Sequence, residues 1–113
     1  MNSQFPSNDA QSRFHELLLA ISRRPQMYTP DGDFPQVVTY IEGFINGAGY
    51  PKAQVNLESG MMSFARWLQQ KQGVDHSSNR WSDTLLNYCN GDHSEATQVL
   101  GSLYSEFLEE ADD

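Results

Sequence analysis

Cys89 and His93 stand four residues apart, a spacing that places two metal-ligating side chains on one face of a helix. Asn90-Gly91-Asp92 interrupts any helix between them, so the spacing loses that meaning. His76 falls in the polar run 74–83, and His15 lies between Arg13 and Glu16. A nucleophilic cysteine needs a nearby base and an electropositive setting. Cys89 instead falls on an apolar helix face of an acidic chain and reads as a buried, inert thiol. Asp31 and Asp33 flank Gly32 as in part of a calcium loop. The intervening acidic ligands are missing, and the twelfth position from Asp31 is Glu42, inside a strong helical pattern. Glu58-Ser59-Gly60 lacks the flanks of a nucleophile elbow, and there is no phosphate-cradling glycine loop. The expectation is a non-enzyme with no metal and no cofactor.

The elements that carry these residues are helical by their apolar spacing. Phe14, Leu17, Leu18 and Ile21 form a first stripe, capped by Ser7, Asn8 or Asp9 and stopped by Pro25. Three prolines and a glycine make 24–35 a loop. A second helix starts near Asp33, with Gln36 at capping-box distance, and carries Phe34, Val37, Val38, Ile41, Phe44, Ile45 and Ala48. Gly43 and Gly47 inside it are explained by close approach of a neighbouring helix or loop. Residues 51–60 read as a connection, followed by a short third helix through Met61, Phe64, Ala65 and Leu68 that ends at Gly73. Ser77, Ser78 or Asn79 caps a fourth helix holding Trp81, Leu85, Leu86 and Cys89. The fifth opens at Asp92 with Glu95 three residues on, and its stripe runs from Ala96 through Tyr104 to Ala111. The fold class expected is all-α: one domain, 1–113, of about five helices in an irregular bundle, with 1–6 and 110–113 frayed.

The 113 residues carry a net charge of −8. The first 91 hold eight acids and seven bases, whereas the last 22 hold seven acids and no Lys or Arg. The body is therefore near-neutral and one end is strongly negative. That distribution opposes binding to nucleic acid or to an anionic membrane surface, both of which draw on clustered Lys and Arg. Acids at a helix C-terminus also oppose the macrodipole, each by about 0.3–1 kcal/mol. Either a solvated helix face with a frayed tail or a binding face for a cationic partner accounts for such an arrangement. The single cysteine, the lack of an apolar run of spanning length and an N-terminus without signal-peptide character point to a reducing cytoplasm.

The run Arg24-Pro25-Gln26-Met27-Tyr28 after a first helix resembles the R-P-x-M-Y signature of small bacterial α-helical proteins. Further elements follow in order. Phe44 comes after Gly43, and Phe64, Trp67 and Leu68 resemble an F-x-x-W-L element. Ser77 to Trp81 resembles S-x-x-x-W; Asp92, Glu95 and Ala96 then precede Leu103, Glu106 and Phe107, similar to an L-x-x-E-F ending. Over roughly residues 14–108 the pattern resembles immunity proteins of contact-dependent growth inhibition and related polymorphic toxin systems, including those facing RNase A-like toxins. Gln26 stands where that pattern has glycine. The same R-P-x-M-Y run occurs in type II topoisomerase ATPase domains, but among Gly-rich ATP-binding motifs that this chain lacks.

The resemblance implies a cytoplasmic inhibitor, monomeric in a 1:1 complex with a cognate toxin, a basic nuclease whose active-site cleft it meets with an acidic surface. The candidate partner-binding residues are Glu95, Glu106, Glu109, Glu110 and Asp113, the loop acids Asp31 and Asp33, and the aromatic anchors Tyr28 and Tyr104. The alternative is a small helical adaptor or homo-oligomeric module without a toxin partner.

Overall fold

The computed structural model describes residues 6–47, 51–73 and 80–111, with side chains from 11–47, 55–73 and 80–110. Among these residues the chain forms five α-helices, one short 3-10 turn and no strand. They are α1 (Pro6–Arg23), α2 (Phe34–Asn46), α3 (Pro51–Gln72), α4 (Trp81–Tyr88) and α5 (His93–Ala111), with the 3-10 turn at Pro25–Met27. No described helix is long and apolar enough to cross a membrane.

Helix boundaries follow local chemistry, with three corrections to the sequence reading. α1 spans Pro6–Arg23, so Ser7, Asn8 and Asp9 fall inside the helix and not before it, and their side chains lie outside the described ones. Proline suits a first position because its missing N–H has no partner in a first turn and its φ is already helical. α3 begins at Pro51 for the same reason and absorbs the expected connection, giving one 22-residue helix. Leu57 extends the stripe of Met61, Phe64 and Leu68 one turn back, and all four are buried. Gly60 does not end the helix, since a Cβ there would only touch the Tyr104 hydroxyl at 3.9 Å. The cap position of α4 is Arg80, which makes no side-chain cap bond; Ser77, Ser78 and Asn79 lie outside the described residues.

The two acid caps form as expected. The Gln36 backbone N–H donates to the Asp33 carboxylate at 3.0 Å, and that of Glu95 to the Asp92 carboxylate at 3.0 Å. α4 closes in a Schellman motif. Asn90 turns left-handed (φ 58°), its N–H donates to the Asn87 carbonyl at 3.0 Å, and that of Gly91 to the Leu86 carbonyl at 2.8 Å.

One core joins all five helices, centred on Phe14, Leu18, Ile41, Phe64, Leu85 and Leu100. Its densest part is aromatic. Phe64 stacks on Trp67 and meets Tyr104 edge-on at 5.4 Å, while Phe107 lies 5.6 Å away. α1 and α5 cross with their backbones in near contact. A Cβ at Gly101 would sit 2.9 Å from the Leu19 Cα and 3.0 Å from the Leu18 carbonyl oxygen. The Gly101 N–H there donates to the Ser22 hydroxyl at 2.8 Å.

Gly43 corrects the expectation of close approach: nothing lies within 4 Å of where its Cβ would be. A glycine within a helix costs up to about 1 kcal/mol relative to alanine. At Gly43 no contact among the described residues offsets that cost.

Candidate partner-binding surfaces

The loop between α1 and α2 is held in one shape by its own side chains. Thr29 is the hub: its hydroxyl donates to the Pro25 carbonyl at 3.1 Å and accepts from the Gly32 N–H at 2.8 Å. Gly32 is left-handed (φ 72°), which turns Asp31 back over the start of α2. The Gln36 side chain then accepts from the Asp31 N–H at 2.8 Å and donates to the Asp31 carboxylate at 3.1 Å. The capping box is thus only half formed, because the Gln36 amide serves Asp31 in place of the Asp33 N–H. Asp31 and Asp33 both shape this loop, although both remain exposed.

The result is a rigid aromatic platform. Tyr28 meets Tyr40 of α2 edge-on with ring centres 5.5 Å apart. Together with Thr29, Pro30, Pro35, Gln36 and Thr39 they line an open cleft of about 460 Å³. Tyr40 is 40% exposed and Met27, beside the platform in sequence, 70%.

The acidic end of α5 is arranged differently. The Trp67 indole N–H donates to the Glu110 carboxylate at 2.7 Å. Lys71 lies 4.9 Å over the Trp67 ring and 3.9 Å from the carboxylates of both Glu106 and Glu110. Glu110 lies in the last turn of α5, bonded there to Trp67. Glu109 is exposed beside them, and Asp113 lies outside the described residues. Lys71 offsets part of the repulsion among these acids, but the pairs are long and solvent-exposed, which makes them weak.

Two further sequence candidates fall elsewhere. Tyr104 is only 5% exposed, and burial raises its phenol pKa above the ordinary value. It is a core residue and cannot anchor a partner; its ring packs between Phe14 and Phe64. Glu95 is exposed in the first turn of α5, where a carboxylate favours the dipole. It stands about 16 Å along the helix from Glu106. Asp33 borders a cleft of about 430 Å³ with His93, Ser94 and Thr97 at that same starting end. Asp33 and Glu95 therefore lie toward the start of α5, and Glu106, Glu109 and Glu110 toward its end.

A third surface has no counterpart in the sequence reading. Glu42, Ile45 and Asn46 of α2, Glu58, Met61 and Met62 of α3, and Arg80 and Trp81 enclose a groove of about 360 Å³. Met62 is 49% exposed at its edge. The visible signal was Met62, apolar yet one residue off the stripe of α3.

The residues with reactive chemistry are occupied structurally. Cys89 is buried, and burial, aided by the Glu95 and Asp92 carboxylates, pushes its thiol up to about 11. The His15 ring shares a 2.7 Å hydrogen bond with the Ser105 hydroxyl, and His93 packs against Phe34. His76 lies outside the described residues. Among the described residues no three His, Cys, Asp or Glu side chains are placed to hold a metal ion. Compared with protein-family models, curated proteins and solved structures, the chain matches none.

Proposed function

We propose that this chain is an immunity protein that binds and neutralises a cognate toxin, a basic nuclease domain of RNase type, by presenting carboxylates to its active-site cleft. The observation that carries the reading is the charge distribution. The last 22 residues hold seven acids and no base, and the described part of that end, around Glu106, Glu109 and Glu110, faces solvent with Lys71 as the base paired to it. A nuclease cleft is cationic because it holds phosphates, so an acidic face mimics the substrate charge. Such complementarity steers encounter and can raise association rates to about 10⁸ M⁻¹s⁻¹ at low salt. The resemblance over residues 14–108 and the all-helical fold are consistent with the same reading, in which the protein meets its toxin in the cytoplasm.

The test is rescue. Co-expression should protect a cell from the toxin domain encoded immediately upstream, through a 1:1 complex burying on the order of 1,200–2,000 Å². The on-rate should fall as salt rises. Failure to protect, or an on-rate indifferent to salt, removes the reading. The exposed apolar residues Met27, Tyr40 and Met62 also fit a second reading, a helical adaptor or homo-oligomeric module. Sedimentation at micromolar concentration, showing a stable dimer that does not need the acidic end, would select it.

A further inference from the structure

Resting on that reading, we infer that the toxin is gripped not by the acidic end of α5 but by the outer face of α2, and that the gripping element is an apolar knob of the partner flanked by Lys or Arg.

Three observations meet on this face. The first is composition. The Tyr28–Tyr40 platform lies at one end of α2 and the Met62 groove at the other. Thr39, Gly43 and Asn46 join them at helical spacing along one side of α2, so the two clefts form one strip. Tyrosine and methionine are both enriched at protein interfaces, and tyrosine is prominent among their energetic centres.

The second is Gly43. It weakens its own helix, and among the described residues nothing lies within 4 Å of where its Cβ would be. A side chain there would stand in the strip between the two clefts. Without one, the backbone of α2 is bare, and a partner element can approach it as closely as α1 approaches α5 at Gly101.

The third is charge. α2 carries Glu42 and no base. Glu58 faces the groove from α3, and Asp31 stands exposed beside the platform. Among the described side chains the bases near the strip are Arg24 and Arg80, against Asp31, Glu42 and Glu58. An uncharged centre with a net acidic rim complements an apolar knob within a basic surface. It disfavours a second copy of this chain, which would set acid rim against acid rim in a protein of charge −8.

The acidic end of α5 and the α2 face then divide the work. Exposed charges act mostly on the on-rate, and packed anchors mostly on the off-rate. The experiment measures both constants for the inactivated toxin domain from the upstream gene. Tyr40→Ala and Gly43→Gln are each expected to raise the off-rate at least tenfold and to change the on-rate less than twofold. Glu106→Gln/Glu109→Gln/Glu110→Gln is expected to lower the on-rate at least fivefold and to raise the off-rate less than either α2 variant does. Helical circular dichroism and an unfolding midpoint at or above that of the parent for Gly43→Gln keep misfolding apart from lost contact. Off-rates unchanged in both α2 variants, with binding intact, overturn this inference and leave the immunity reading standing. A dimer of the free protein that Gly43→Gln dissolves assigns the face to a second copy and also overturns it. No binding by the parent protein overturns the immunity reading, and this inference with it.

Discussion

The Trp67 indole donates to the Glu110 carboxylate across 43 residues of sequence, at 2.7 Å, with Lys71 lying over the same ring. This bond ties the last turns of α5 to α3, where like charges and an opposed dipole would otherwise loosen them. Glu110→Ala should cost about 0.5–1 kcal/mol, the range for a hydrogen bond at a half-exposed carboxylate. The unfolding midpoint should fall by about 4 °C for each kcal/mol. The Trp67 indole N–H resonance should move upfield while that of Trp81 stays put. An unmoved resonance would show that the bond is absent in solution.

Two glycines should respond to alanine with opposite signs. Gly101→Ala drives a methyl to within 2.9 Å of the Leu19 backbone, so α1 and α5 must separate. Overpacking of this kind costs about 1–3 kcal/mol. Gly43→Ala enters open space within a helix and should stabilise by up to about 1 kcal/mol. Urea unfolding of the two variants beside the parent reads both signs in one experiment.

Stability should decline in alkali through Cys89. Its thiol is raised from 9.0 to about 11 by burial and then by Glu95 and Asp92. A folded pKa above the unfolded one means the unfolded chain releases its proton first. The contribution is complete below about pH 9, falls between about 9 and 11, and is lost above that. Burial shifts Tyr104 in the same direction. Cys89→Ala should therefore be less stable than the parent by a margin that narrows over this window. The native thiol should also resist iodoacetamide at pH 8 and react only on unfolding.

Asp33 should matter more as a helix cap than as a charge. Asp33→Ala removes the acceptor of the Gln36 N–H and should cost about 1 kcal/mol. Asp33→Asn keeps an acceptor and should cost only a few tenths, because Asn caps almost as well. Equal losses in the two variants, measured by chemical denaturation, would assign the effect to charge.

Much of the fold was legible in the residues. The stripes of α2 and α5 were readable because burial on one side of a helix forces a 3.6-residue period. The error at α3 came from treating Pro51 and Gly60 as breakers. Proline is compatible with a first turn, and a glycine costs too little to end a helix whose stripe runs through it. The candidate site was less legible. Tyr104 and Tyr28 are the same residue type on amphipathic segments, yet one is sealed between Phe14 and Phe64 and the other sits half-open against Tyr40. Which tyrosine faces water depends on how helices pack, and no local pattern records that.

The residues alone establish an all-helical chain, the acid caps at Asp33 and Asp92, the stop at Asn90-Gly91 and the concentration of negative charge at one end. Each of these is decided by neighbours within about four positions, or by counting. Tertiary structure decided that Gly101 and not Gly43 is the crowded glycine, that Glu110 is held by Trp67, and that Asp33 lies toward the start of α5. It also set Tyr28 and Tyr40 side by side on an open face. Those outcomes depend on which helix crosses which and at what distance. Such contacts join residues tens of positions apart, so they exist only once the core has packed.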